Sequence, residues 1–155
     1  MMDCNNSYQE RNSTSNNIAE DKCEEYYKDK GDLIRFGFNE KKSNIPTSLF
    51  FKIPSHLRNI PDYVLIKSNE IVRLVEVKGF KGLIKIKIED LLSYDYWANI
   101  PETKLILFFY DCEDQKEIII DYFRLKQIIV FGDCKINKYW DNSKAYFEIK
   151  KQQLI

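Results

Sequence analysis

The sequence predicts an α+β domain, and three observations carry that prediction. Two apolar, strand-sized runs, Ile60–Ile66 and Val72–Gly79, are separated only by the turn residues Lys67-Ser68-Asn69-Glu70. Two stretches with helical spacing, from Asn17 and from Glu89, flank that pair in the chain. A strongly apolar run, Lys104–Tyr110, has the character of a strand at a sheet centre covered on both faces. The 155 residues are enough for one domain with a real core, and 44% hydrophobic and 14% aromatic content suits a globular chain.

Composition narrows the function classes. Lys plus Arg (24) equals Asp plus Glu (24), so no net positive charge favours sequence-independent nucleic-acid binding. A local basic face around an acidic site remains compatible with that balance. The 4 cysteines show no Cys-x-x-Cys spacing and have one histidine, His56, to partner them, which argues against zinc. Apolar runs are strand-sized and interrupted by charge, so no signal peptide or membrane span is expected. The expected setting is cytoplasmic, with the thiols reduced and mostly buried as packing groups.

Residues 1–16 are rich in Asn and Ser, and a disordered tail is expected there, followed by a single domain over 17–155. A helix is expected from an Asn17 cap through Lys28, stopped by Gly31, with Ala19, Cys23, Tyr26 and Tyr27 as its apolar stripe. Two readings are open for Glu20 on this helix: a solvated acid in a first turn, or a carboxylate aimed at a site. Asp32–Phe38 reads as a first strand, Asn39–Thr47 as a polar loop carrying Lys41 and Lys42, and Ser48–Pro54 as a second, edge strand. His56 and Arg58 fall in the connection that follows; a lone histidine in a polar loop is usually just exposed.

The hairpin is the informative element. A three-residue loop at Ser68-Asn69-Glu70, with Asn69 left-handed, pairs Lys67 with Ile71. Carried down the ladder, that register sets Asp62 opposite Glu76, with Lys78 on the same face. Two carboxylates and an ammonium then converge at one end of an apolar sheet, where charges are costly unless paired or holding a metal. An ion pair between Glu76 and Lys78 neutralises only one of the two acids.

Beyond a turn at Phe80-Lys81-Gly82, Leu83–Ile88 alternates apolar and basic residues. Lys81, Lys85 and Lys87 read either as solvated lysines or as phosphate contacts beside the acidic pair. The helix Glu89–Ala98 offers Leu91, Leu92, Tyr94 and Trp97 for packing. Glu117–Phe123, Ile128–Phe131 and Lys144–Lys150 are further strand candidates, the last two peripheral.

Pro61-Asp62, a spacer, then Glu76-Val77-Lys78, set on a hairpin, resembles the signature of the PD-(D/E)XK nuclease superfamily. Asp90 and Tyr94 also have the spacing of the Gln-x-x-x-Tyr that some members carry on the next helix, with Asp90 in place of the glutamine. The resemblance covers roughly Ile18 to Tyr110 and implies the restriction-endonuclease-like fold: an αβββαβ core with a mixed central sheet flanked by helices, here with extra C-terminal strands. It implies a metal-dependent nuclease, a DNA endonuclease of restriction, homing or junction-resolvase type, leaving 5′-phosphate and 3′-hydroxyl ends. Asp62, Glu76, the Val77 carbonyl and Glu20 would hold Mg²⁺ or Mn²⁺, Lys78 would serve the attacking water, and Tyr94 would stand near the catalytic centre. Arg58, Lys41, Lys42, Lys81, Lys85 and Lys87 are the candidate contacts to nucleic acid. Recognition of a junction or palindrome would imply a homodimer. Two rivals remain: a nuclease-fold module that binds nucleic acid or protein without cutting, and an unrelated α+β interaction domain in which the motif is accidental.

Overall fold

The computed structural model describes residues 8–37 and 46–155. Lys41, Lys42 and Phe38 lie outside the described residues; the first strand, expected over Asp32–Phe38, ends at Arg35. In chain order the elements are α1 (Tyr8–Tyr27), β1 (Asp32–Arg35), α2 (Thr47–Phe50), α3 (Ser55–Arg58), β2 (Tyr63–Ile66), β3 (Val72–Phe80) and β4 (Ile84–Lys87). They continue with α4 (Ile88–Ala98), β5 (Thr103–Asp111), β6 (Lys116–Asp121), α5 (Tyr122–Phe131), β7 (Lys135–Lys138), β8 (Ala145–Ile149) and α6 (Lys151–Leu154).

Among the described residues the strands form two sheets. The larger has the order β1-β2-β3-β5-β6, and the smaller β4-β8-β7. The larger sheet is mixed: β3 and β5 run parallel, while the other neighbours are antiparallel. A parallel pair needs a crossover, and β4 with α4 supplies it. Because β3 and β5 lie at the centre, both their faces are covered, which is why Leu105, Leu107, Phe108 and Phe109 are all buried. One face packs on α1 through Ala19, Cys23, Tyr27, Tyr63, Leu65, Val75, Val77 and Phe108. The other face, with Leu74, Leu107 and Phe109, meets Tyr94 and Ala98 of α4, Tyr122 and Leu125 of α5, and Ile84, Ile86 and Ile149 of the small sheet.

The hairpin register is the one its turn predicts. Asn69 is left-handed at φ 60, and Tyr63 pairs with Val75, so the next rung sets Asp62 opposite Glu76. Other segments differ from what their residues predict. Ser48–Pro54, expected as a strand, instead falls in and after α2, and α3 follows at once. Pro46 and Pro54 each accept at their carbonyls the first backbone bonds of these short helices. Ile128–Phe131 is the last turn of α5, not a strand. Asp121 caps that helix by accepting from the Phe123 amide, and Tyr122, Leu125, Ile128 and Ile129 face the core. The strand expected to run to Phe123 therefore stops at Asp121.

Helix α1 starts at Tyr8, ahead of the expected Asn17 cap. Its propensity is modest, and contact with the sheet supports it. The Gly79 amide donates to Asn16 Oδ1 at 3.0 Å, and a Cβ added at Gly79 would sit 2.1 Å from the Ser15 carbonyl oxygen. Helix backbone and central strand thus touch where only glycine fits, so Gly79→Ala must push α1 off β3. The expected loss is about 2 kcal/mol in a urea melt, as for other overpacked contacts; an unchanged midpoint would refute the close approach.

Candidate active site

The side chains of interest converge where β2 enters the sheet beside β3. Asp62 precedes β2, and its Oδ2 accepts the Val77 amide at 2.8 Å, taking the place of the next ladder bond. Glu76 lies one residue before Val77 and points to the α4 face, as do Leu74 and Phe80. There Tyr94 Oη donates to Glu76 Oε1 at 3.2 Å. Lys78, two residues further along the same face, places Nζ 3.2 Å from Asp90 Oδ2. It also donates to the Tyr94 hydroxyl oxygen. Asp90 and Tyr94, one turn apart on α4, therefore engage Lys78 and Glu76 respectively.

On the α1 flank Glu20 and Arg35 form an ion pair at 3.0 Å, and both lie close enough to Asp62 to act on its charge. Arg35 sits over the Tyr63 ring, 5.0 Å from its centroid, and its Nε and Nη1 are buried without a hydrogen-bond acceptor. The sequence reading missed Arg35. A charge opposite Tyr63 on a short strand was the available signal, since register alone brings it beside the acidic pair.

Burial is the leading cause of the site's electrostatics. It pushes the Asp62 carboxyl up to about 6, with Glu20's charge adding to the rise. The Val77 amide, Arg35 and Lys78 act in the opposite sense. Glu76 is held well above the usual carboxylate range by burial and by the nearby charge of Asp62. Tyr94 is likewise raised by burial and by Glu76.

The donor chemistry can be tested against a divalent cation. With every group ionised, Glu20, Asp62, Glu76 and Asp90 face Lys78 and Arg35, leaving a surplus of negative charge equal to one such ion. Among the described residues no trio of His, Cys, Asp or Glu is grouped to hold a metal. Asp62 and Glu76, whose charges act on each other, offer oxygen donors, the kind Mg²⁺ accepts alongside several of its waters. Glu20 is occupied by Arg35.

The remaining candidates lie around this cluster. Lys81 is exposed just past β3, and Lys85 lies on the outer face of the small sheet. Lys87 is the residue immediately before α4. Arg58 covers Phe50 and Phe51, with its guanidinium carbon 5.9 and 5.5 Å from the ring centroids. His56 packs its ring on Tyr96.

Similarity to solved structures agrees with this architecture. D212, a nuclease from a fusselovirus, superimposes with a TM-score of 0.51 at 11% identity, covering 92% of this chain and 84% of its own. A Holliday junction resolvase, Hjc from Archaeoglobus fulgidus, aligns over 87% of this chain and 89% of its own, at 12% identity and a TM-score of 0.48. No protein-family model and no curated protein matches the sequence. The fold is the restriction-endonuclease-like one, with the mixed central sheet flanked by helices that the motif implies. Among the described residues no helix is long and apolar enough to cross a membrane.

The raised carboxylates set a pH dependence. A folded pKa above the unfolded one means that the fold holds the proton more tightly, so this stability is present below about pH 4 and lost as pH rises through about 6. In EDTA, Asp62→Asn should therefore match the wild type at acid pH and exceed it by about 2 kcal/mol at neutral pH. Urea melts across that range check it, and a pH-independent gap would refute it. Millimolar Mg²⁺ or Mn²⁺ should raise the melting temperature of the wild type and not of Asp62→Asn.

Proposed function

We propose that the protein is a metal-dependent nuclease, a DNA endonuclease that hydrolyses phosphodiester bonds to 5′-phosphate and 3′-hydroxyl ends. The observation that carries this reading is the half-buried Asp62–Glu76 pair, with Lys78 on the same strand face as Glu76. Asp62, Glu76 and the Val77 carbonyl would hold Mg²⁺ or Mn²⁺, with Glu20 joining only by leaving Arg35. Such a cation, when bound, supplies Lewis acidity to the phosphoryl oxygen and lowers the pKa of a coordinated water.

The chain's own groups do the rest. Lys78, tethered by Asp90 and Tyr94, presents an ammonium at a fixed place where negative charge develops and where an attacking water is oriented. Tyr94 donates to Glu76 and so fixes which oxygen of that carboxylate remains available. Asp62 is held at Oδ2 by the Val77 amide, which leaves Oδ1 as the oxygen for a cation. Lys81, Lys85, Lys87 and Arg58 are the candidate phosphate contacts; Arg58 would reach a phosphate from its seat on Phe50 and Phe51. A homodimer belongs to this reading if the substrate is a palindrome or a junction.

One observation favours a second reading, a nuclease-fold module that binds without cutting. Lys78 has Asp90 and Glu20 has Arg35, so two of the groups a cutting site would use are paired within the protein.

Plasmid, linear, single-stranded and four-way-junction DNA, each with Mg²⁺ and with EDTA, separates the readings. Lys78→Ala should lower the cleavage rate on saturated enzyme by about 100-fold or more while affinity stays within about threefold, because Lys78 acts where charge develops in the transition state. Replacing Lys85 and Lys87 together should weaken binding and flatten its salt dependence, with the chemical step retained. Binding without cleavage by the wild type on every substrate would establish the second reading.

A further inference from the structure

The small sheet carries chemistry that hydrolysis does not use. Residues 84–87 and 135–150, which build β4, β7, β8 and their hairpin tip, hold six lysines against Asp141 and Glu148, in a chain with no net charge. The register sets Lys85, Glu148 and Lys135 side by side across one face, with Lys87, Tyr146 and Asn137 in the next row. The opposite face sends Ile84, Ile86 and Ile149 into the core. On the outward face the Tyr139 and Tyr146 rings lie 4.3 Å apart, and Lys85 Nζ is 5.2 Å from the Tyr146 centroid. The result is a basic face with an aromatic floor.

The hairpin tip extends it. Tyr139 and Lys144 close the turn through backbone bonds, Ser143 is left-handed at φ 57, and Trp140 projects from the turn 81% exposed. Lysines on an edge strand are an ordinary guard against pairing with other sheets. That purpose does not call for an indole in water at the tip. The tip is also anchored toward the candidate site: Lys144 Nζ pairs with Glu89 Oε1 at 2.8 Å, and Glu89 immediately precedes Asp90, the partner of Lys78.

We propose that this face and Trp140 form an accessory site for nucleic acid with unpaired bases. The lysines follow the phosphate backbone and Trp140 stacks on a base outside the duplex, near the scissile phosphate. The inference rests on the nuclease reading and names its substrate structure. A continuous duplex hides its base faces except at its ends, whereas a single strand or a single-stranded flap offers them along its length.

The test is made in EDTA, so that binding is read without cleavage. The emission of Trp140 is isolated as the difference between the wild type and Trp140→Phe, because Trp97 is the other indole. Saturating oligothymidine or a duplex carrying a single-stranded flap should quench that emission, and a blunt duplex of equal length should leave it nearly unchanged. Trp140→Ala should weaken oligothymidine binding about tenfold and duplex binding less than about twofold. Lys85→Ala with Lys135→Ala should flatten the salt dependence for both. Unmoved emission at saturating oligothymidine, or equal losses on duplex and single strand, overturns the accessory site. So does emission that changes only with protein concentration, which would assign the tip to a second copy of the chain. Cleavage in Mg²⁺ with Trp140 unmoved removes the accessory site and leaves the nuclease. Quenching with no substrate cut upholds the accessory site and removes the nuclease. Failure to bind any nucleic acid removes the accessory site together with the binding on which both readings of function depend.

Discussion

The rest of the structure is arranged around the pair of carboxylates, Asp62 and Glu76, held together half-buried at the end of a hydrogen-bonded hairpin. Burial raises both, and each makes ionisation of the other harder. The surrounding structure compensates: the Val77 amide and Arg35 act on Asp62, Tyr94 on Glu76, and Asp90 balances Lys78. These partners come from β1, β3 and α4, so the site is a meeting of elements far apart in sequence. Fixed, desolvated dipoles and charges of this kind are what electrostatic catalysis requires, and their cost to stability is the ordinary one for such sites.

The topology explains why the cluster is rigid. Glu76, Val77 and Lys78 lie on β3, which has β2 on one side and the parallel β5 on the other. The crossover between β3 and β5 passes through β4 and α4, which delivers Asp90 and Tyr94 back to the strand that carries Glu76 and Lys78. Helix α1 covers the opposite face and brings Glu20 beside Arg35, at the point where Gly79 allows the helix to approach.

Much of this was legible in the sequence, for a physical reason. Side chains alternate on a strand, and a short turn with Asn69 leaves few registers, so Asp62 and Glu76 could be set opposite one another from residue types alone. The failures share a cause as well. Leu49-Phe50-Phe51 and Ile128–Phe131 are short apolar runs, which periodicity cannot divide between strand and helix. In the second case the Asp121 cap and the spacing of Tyr122, Leu125 and Ile129 were the better guide than the β-branched run. The middle of α1 touches Gly79 through Ser15 and Asn16, and no local propensity records that contact. Arg35 was harder to single out, because its charge on a short strand gains meaning only when the sheet sets it opposite Tyr63 and α1 brings Glu20 to it.

The bond from the Val77 amide to Asp62 gives the molecule a built-in spectroscopic reporter. That amide belongs to the central strand, yet its acceptor is a titrating side chain and not a carbonyl. Its proton resonance therefore follows the charge on Asp62, moving as the carboxylate gains a proton or a counter-ion and the hydrogen bond weakens. Slow solvent exchange, expected for a central strand, keeps the signal visible through such a titration. A single backbone resonance thus reads the ionisation state of the site without any label attached to it.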